Sequence, residues 1–407
     1  MIEDNWDFAD LHIHSRFSRA CSKDLTFPNL VKWAKIKGVS LLGTGDFTHP
    51  VWLDEIKEQL EDKGNGLYYF EDFPFVISGE VSLMYTHGKG RRVHLVLLVP
   101  SVEVAEKINS YLDTKGRRDY DGRPIFKIPV EEFVREMKNI SEDIEVIPAH
   151  IWTPWFGIFG SATGYNSLKE AFGEQFDKIS AIETGISSDP PLNWKIRDLG
   201  DKSILSFSDS HSFWPWRLGR EVTIFKSLGS YLDLINQIRE NSFIGTVETD
   251  PAYGKYHWDG HRLCNFSCSP QKTRELNGIC PKCNKSLVIG VENRVEELAS
   301  GTGKDYSKKK MFFTLLPLHE LIAYFLKAGV NTKKVWGVYN SLIEKFGNEF
   351  KILIDIGEEE LKHFGLSSGL IDLILKNREG KIKVKPGYDG EYGVIELGEK
   401  IGQAKLD

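Results

Sequence analysis

The chain has 407 residues, 41% of them hydrophobic, and a formal net charge of −6 at pH 7. That length predicts two or three domains, one of them large enough for a barrel, and the charge argues against a nucleic-acid binder that works by bulk positive charge, though it leaves room for a local basic groove. No apolar run reaches the roughly eighteen residues that span a bilayer, and the first residues lack the basic-then-apolar pattern of a secretory leader, so a cytoplasmic protein with no membrane partner is expected.

Strands are predicted at 8–13, 40–44, 75–78, 94–99, 145–148, 181–183, 203–206 and 222–224, and helices at 28–37, 53–62, 102–113, 130–137, 168–172 and 230–241. Such repeated βα units imply a parallel sheet, and about seven of them suggest a closed barrel. The stretch 111–127, rich in Gly, Asp and Arg, reads as a loop excursion. Many of these strands run into metal-binding side chains, and barrel enzymes keep their chemistry at strand C-terminal ends.

His12 and His14 stand two apart on a strand, so their rings face one side. Alone, such a pair also fits buried core histidines, but Asp209-Ser210-His211 repeats the spacing at another strand end. Glu80 follows Gly79, and one carboxylate there can bridge two metals. Asp46 and His49 compete for one ligand position, with Asp46 favoured. His94 and His150 complete the set. Asp10 is placed to orient a neighbouring histidine. Glu183 stays open between ligand, acceptor behind a ligand, and helix cap. Such a constellation predicts two or three divalent ions (Zn, Mn or Mg) hydrolysing a phosphate ester, with Glu80, Asp209 and His211 as the catalytic residues. His87, His257, His261, His319 and His363 read as loop or surface histidines.

Composition changes after Val247. Cys264, Cys268, Cys280 and Cys283 are spaced C-x3-C, eleven residues, C-x2-C. This predicts one structural zinc with a closed thiolate shell. The alternative, two disulfides, needs an oxidising compartment. Cys21 reads as an ordinary thiol. Residues 300–304 look like a flexible connection. Helices are predicted at 318–328, 335–346, 358–363 and 367–377, with a glycine-bearing turn at 365–369 that fits either a helix-hairpin-helix offering N–H groups to phosphate or a plain helical cap. Residues 386–390 read as a tight turn between short strands. The domains expected are therefore 1–250, 251–300 and 301–407. Gln403 and Leu406 match the first half of a sliding-clamp binding box, which makes a sliding clamp a further expected partner.

Trp152, Trp155, Phe156, Phe159 and Tyr165 follow His150, and Phe213, Trp214 and Trp216 follow His211. Some would serve core packing, but so many beside two ligands predict DNA contact or a pocket for an unstacked base. Arg217 and Arg220, beside Asp209, are expected on backbone phosphates, with Arg91-Arg92, residues 115–118, Lys272, Lys282 and Lys308–Lys310 as further cationic groups.

Taken together, His12-x-His14, Asp46 and His49, Glu80, His94-Leu-Val-Leu-Leu, His150 and Asp209-x-His211 resemble the polymerase and histidinol phosphatase (PHP) superfamily over residues 1–225. The resemblance implies an α/β fold: a distorted (β/α)7 PHP barrel holding up to three divalent metals for phosphoester hydrolysis. Thr44-Gly45-Asp46 stands where many relatives carry Thr-Asp-His, and Ala20 where some carry another histidine; both bear on the third metal. With the four-cysteine zinc module, the helical C-terminal domain and the strings Gly43-Thr44-Gly45-Asp46-Phe47-Thr48-His49-Pro50 and His150-Ile151-Trp152-Thr153-Pro154-Trp155-Phe156, the chain resembles the archaeal endonuclease Q family over nearly its full length. Membership implies cleavage of DNA 5′ to deaminated bases (uracil, hypoxanthine, xanthine) and at abasic sites, in double-stranded and also single-stranded DNA. The alternatives are a PHP-type small-molecule phosphatase and a non-catalytic DNA-binding scaffold.

Overall fold

Short runs of Val, Ile, Leu and Phe form the strands that carry the site. The computed structural model describes residues 2–299 and 309–396. Strands β1 (Trp6–Asp10) and β2 (Leu41–Gly43) come first; β3 (Glu61–Asp62) and β4 (Tyr68–Phe70) lead into β5 (Phe73–His87), which turns at Gly88 into β6 (Lys89–Val99). Gly88 has a φ of +69°, which a tight turn requires and glycine supplies without strain. The strands expected at 75–78 and 94–99 are thus two arms of one long hairpin, paired from Ile77–Val99 to His87–Lys89. Glu80 therefore lies within a strand and not at its end.

There follow β7 (Ile125–Phe126), β8 (Glu145–Pro148), β9 (Ala181–Glu183), β10 (Ser203–Leu205), β11 (Val222–Lys226) and β12 (Gly245–Glu248). β1, β2 and β5 run parallel, but β5–β6, β6–β8 and β1–β11 are antiparallel, so the expected parallel sheet is a mixed one. β9 and β10 pair separately. The sheet ladder does not close among the described residues. Its two gaps are spanned by single links, Ile151 N donating to Glu183 O and a bridge between Ile13 and Ser210.

Alternate residues of these strands point to two different cores. An inner cluster contains Ala9, Leu41, Val76, Val96, Ile147, Ala181, Leu205 and Phe225, one from each of eight strands. The outward residues, among them Phe8, Leu42, Phe75, Leu97, Val146 and Ile182, belong to the core that also holds the buried faces of helices Phe27–Lys37, Pro50–Gln59, Val102–Asp113 and Val130–Ile140. Helix Tyr231–Arg239 packs on this inner cluster: Leu234, Ile235 and Ile238 join it, and Tyr231 donates to Leu98 O (2.9 Å) and Asp143 O (2.7 Å).

β13 (Asp259–His261) and β14 (Phe266–Cys268) form the cysteine module, after which β15 (Met311–Thr314) returns to the large sheet beside β12. Helices Leu318–Phe325, Lys333–Phe346, Glu358–His363 and Ser368–Arg378 and a hairpin of β16 (Lys383–Lys385) and β17 (Val394–Glu396) complete the described chain. The helices are clamped to the first half. Buried Lys37 donates to Glu349 Oε1 (2.6 Å) and Pro215 O (2.8 Å), and Tyr339 donates to Glu349 Oε2 (2.9 Å). Trp336 lies 5.5 Å from Trp33, 5.7 Å from Trp214 and 5.9 Å from Trp216, ring to ring. No described helix is long and apolar enough to cross a membrane. The 300–304 connection, Lys308, and Gln403 with Leu406 lie outside the described residues.

Candidate metal centre

The chain leaves β1 at Asp10, which is fully buried. Its carboxylate accepts from Ser208 N (3.0 Å), Ser208 Oγ (2.6 Å) and Gly219 N (2.9 Å), tying the exits of β1 and β10 together. Burial raises its pKa to about 6 against those bonds. The next residues on both exits are the histidine and aspartate pairs. One donor atom each from His12, His14, Glu80 and Asp209 lies within 4.8 Å of all the others. His14 Nε2 is 3.0 Å from Asp209 Oδ1 and 3.3 Å from Glu80 Oε2, and His12 Nε2 is 3.5 Å from both carboxylates. A second group is Glu80, His94 and His150, with Glu80 Oε1 2.7 Å from His94 Nδ1 and 3.1 Å from His150 Nε2. Glu80 belongs to both.

Two carboxylates stand behind the histidines. Glu183 accepts from His12 Nδ1 (2.9 Å) and from His150 N (2.7 Å), so it orients two candidate ligands. Asp46 accepts from His14 Nδ1 (2.9 Å), Ser15 N (2.6 Å), Ser15 Oγ (2.7 Å) and Ser18 Oγ (2.9 Å). With both oxygens engaged, Asp46 sits outside the converging donors where the sequence had favoured it as a ligand. His49 also lies outside both groups, its ring stacked on Phe17 at 4.3 Å where helix Pro50–Gln59 begins. His211 likewise: it packs 4.3 Å from the His14 ring and its Nδ1 donates to Asp209 O (3.0 Å). Asp46, His150 and Asp209 all have positive φ (+47°, +31° and +47°), a cluster of strained backbone that marks a functional mouth.

Burial opposes every charge here, but the carboxylates outweigh it for two histidines. Glu183, Glu80 and Asp209 hold His12 well above the ordinary imidazole range, and Asp46 and Asp209 do the same for His14. Burial wins at His94, whose pKa falls to about 4. The histidines in turn hold Glu80 and Asp209 ionised against the same burial. The donor set fits divalent cations. His12 Nε2 is buried and has no hydrogen-bond partner, and a cation that displaced its proton would find the ring already oriented by the Nδ1 contact with Glu183.

Arg123, unnoticed in the sequence because it sits in the 111–127 excursion, donates from Nη1 to Glu80 Oε2 (2.8 Å). The donors open into a cavity of about 380 Å³ whose walls include Arg123, Arg220, Trp155, Phe156 and Tyr256.

A family model described as the MJ0043 C-terminal domain matches residues 317–381. The uncharacterised protein MJ0043 of Methanocaldococcus jannaschii is 32% identical over 286 residues, which are 69% of this chain and 35% of that protein. The chain thus matches about a third of that relative's length. Two solved structures match from end to end. The lesion-specific endonuclease PfuEndoQ from Pyrococcus furiosus superposes with a TM-score of 0.87 at 30% identity, covering 98% of each chain. Endonuclease Q in complex with a 27-mer duplex substrate carrying an abasic lesion at the active site gives 0.87 at 32% identity, covering 99% of each. The chain belongs to the endonuclease Q family.

Within that family fold, the aromatic residues expected at DNA divide into two sets. Trp155, 37% exposed, and Phe156, 4.3 Å from the His94 ring, face the cavity with Tyr256, which the sequence reading passed over. Trp152 and Phe159 are buried core, Trp152 donating to Asn193 Oδ1 (2.8 Å). Trp216 is buried against His319 (4.8 Å) and stacks with Trp214 (5.5 Å). None of Trp152, Phe159, Trp214 and Trp216 lines this cavity; the first two and Trp216 are buried, while Trp214 is 37% exposed elsewhere on the surface. Nearness to a ligand in sequence does not decide which side of a loop a ring takes. Arg217 pairs with Glu320 (3.7 Å), whereas Arg220 lines the cavity and donates to Ser208 O (3.2 Å).

The cysteine module also differs from expectation. All five cysteines are free thiols, so the two-disulfide alternative is not formed. The converging donors are His261, Cys264, Cys280 and Cys283, with Cys283 Sγ 3.3 Å from His261 Nδ1. Cys268 instead pairs with Thr273 Oγ1 (3.3 Å), outside the set. The signal was present: His261-x2-Cys264 has the spacing of Cys280-x2-Cys283, and two equal knuckles suit a tetrahedral ion. Backbone N–H groups of Lys282 and Cys283 overcome burial and lower the Cys280 thiol to about 7, which favours the thiolate a metal needs.

Proposed function

We propose that this chain is a metal-dependent DNA repair endonuclease that hydrolyses the phosphodiester 5′ to deaminated bases (uracil, hypoxanthine, xanthine) and at abasic sites, in double-stranded and also single-stranded DNA. The observation that carries the reading is the carboxylate of Glu80, shared by two donor groups at the edge of a cavity with aromatic walls. The end-to-end likeness to endonuclease Q, in one case with a lesion-bearing duplex, supports it. The inner cluster drawn from eight strands supports a PHP-type barrel.

Residues His12, His14, Asp209 and Glu80 would hold one ion, and Glu80, His94 and His150 another, from among Zn, Mn and Mg; His261, Cys264, Cys280 and Cys283 would hold a structural zinc. When bound, ions at the Glu80 centre supply Lewis acidity, lowering the pKa of water and neutralising phosphate oxygens. Glu183 and Asp46 keep the Nε2 atoms of His12 and His14 pointed forward. The rings of Trp155, Phe156 and Tyr256 give an extrahelical base apolar walls to pack against. Attack of water on phosphorus with O3′ as the leaving group breaks the P–O3′ bond and leaves 3′-hydroxyl and 5′-phosphate ends.

End-labelled duplexes with and without one deoxyuridine or abasic site, incubated with the protein and Mn²⁺ or Mg²⁺, test this. A nick only at the lesion is expected. Phosphate release from histidinol phosphate without nicking would make the chain a small-molecule phosphatase, and tight binding without cleavage a scaffold. Asp209→Asn should stop nicking while lesion binding mostly survives; equal loss of both would make Asp209 a structural residue.

A further inference from the structure

The excursion 111–127 folds back over the metal mouth. Gly122 N donates to Phe17 O (3.1 Å), Thr48 Oγ1 donates to Gly122 O (3.3 Å), and Arg19 Nε meets Asp121 Oδ2 (3.1 Å). Gly122 is packed so tightly that a Cβ there would lie 2.2 Å from Asp46 Oδ2 and 2.3 Å from Ser18 Oγ. The segment is therefore seated on the same carboxylate that orients His14.

This seating delivers the next residue, Arg123, into the cavity beside His94, His150 and Asp209. Its Nη1 is spent on Glu80 (2.8 Å), and its other guanidinium N–H groups have no hydrogen-bond partner among the described residues. The side chain remains 29% exposed. Structural arginines in this chain behave differently. Arg294 donates to Phe159 O, Tyr165 O and Asn166 Oδ1 (3.1, 3.0 and 2.7 Å), and Arg378 to three backbone carbonyls, of Leu353, Ile352 and Ile356 (2.9, 3.1 and 2.7 Å). Arg16 and Arg123 each spend one guanidinium N–H on a carboxylate, and of the two only Arg123 lines the cavity beside the converging donors.

We propose that Arg123 is a phosphate-binding catalytic residue: its open edge donates to a non-bridging oxygen of the phosphate at the metal centre while Nη1 holds Glu80. The planar fork matches two phosphate oxygens in a way a lysine ammonium does not. Its donors are aimed before the reaction, so they strengthen as charge builds on those oxygens. That the phosphate is a phosphodiester of DNA rests on the endonuclease reading; that Arg123 binds phosphate does not.

The test titrates inorganic phosphate into the full chain loaded with Mn²⁺, by calorimetry, for the unaltered protein, Arg123→Gln and Arg123→Lys, with bound Mn²⁺ measured on each. Arg123→Gln should weaken phosphate binding on the order of 10- to 100-fold, Arg123→Lys by less, and bound Mn²⁺ should not change. Unchanged phosphate affinity in both variants overturns the proposal. So does a loss of Mn²⁺ that tracks the loss of phosphate, since Arg123 would then only position Glu80. A DNA arm identifies the source of the phosphate: single-turnover nicking of a lesion duplex should fall about 10²- to 10³-fold in Arg123→Gln, by more than duplex affinity falls. If the unaltered protein nicks no lesion duplex, the endonuclease reading fails, and the phosphate titration still decides the role of Arg123.

Discussion

One carboxylate aims two histidines. Glu183 takes the Nδ1 proton of His12 and the backbone proton of His150, and it is fully buried, so no water can substitute for it. Glu183→Gln keeps the volume but offers a single acceptor oxygen to these two donors. Mn²⁺ affinity should fall about 10- to 100-fold, read from free Mn²⁺ by electron paramagnetic resonance; an unchanged titration would mean that His12 needs no orienting partner. The His12 and His14 pair is legible in the sequence because extended backbone converts a spacing of two into one shared face; Asp209 and His211 have the same spacing, but only Asp209 joins the converging donors. The roles of Asp46 and Glu183 are not legible, since spacing says nothing about whether a carboxylate faces an ion or a histidine's rear. Arg123 is hidden for another reason. Its segment has no periodicity, and what seats it are contacts distant in sequence, of Gly122 with Phe17, Thr48 and Asp46 and of Asp121 with Arg19.

Among the elements, the cysteine module offers the sharpest contrast. If the ion is held by His261, Cys264, Cys280 and Cys283, then His261→Ala should lose bound zinc while Cys268→Ser retains it, as measured by mass spectrometry of the purified proteins. The opposite pattern would restore the all-cysteine shell. Counting thiols conceals the histidine, because a lone histidine before a cysteine is common and a fourth cysteine seems to complete the set. The β5–β6 hairpin is half legible in the same way. Its apolar arms are plain in the sequence, but the polar residues around Glu80 and His94 break the pattern and make one long ladder look like two short strands. The paired backbone carries them regardless.

At the scale of the whole molecule, stability and chemistry meet in buried charge. Lys37 and Glu349 join the first and last parts of the chain with almost no exposure. Lys37→Ala strands a carboxylate in the interior and should cost about 3–5 kcal/mol in urea unfolding; a loss under about 1 kcal/mol would mean the pair is solvated, like a surface ion pair. Glu221 and Glu248 are buried just outside β11 and at the end of β12. Burial, with Glu183 nearby, raises Glu221 from 4.5 to about 8, and burial with Glu221 nearby raises Glu248 well above its ordinary value. The folded chain then holds a proton that the unfolded chain has released, so this contribution is complete below pH 4.5 and is lost as pH rises toward about 8. Glu221→Gln should flatten the fall of the urea midpoint across that window, and an unaltered slope would refute the assignment. A last consequence belongs to residues 209–216. That span begins at Asp209, one of the converging donors, and ends at Trp216, packed against His319 and Trp336. A push on the far helices has only a few bonds to travel before it reaches the reacting atoms. Trimming the chain at residue 317, where the match to the MJ0043 C-terminal domain begins, would leave every candidate donor in place and untie that tether.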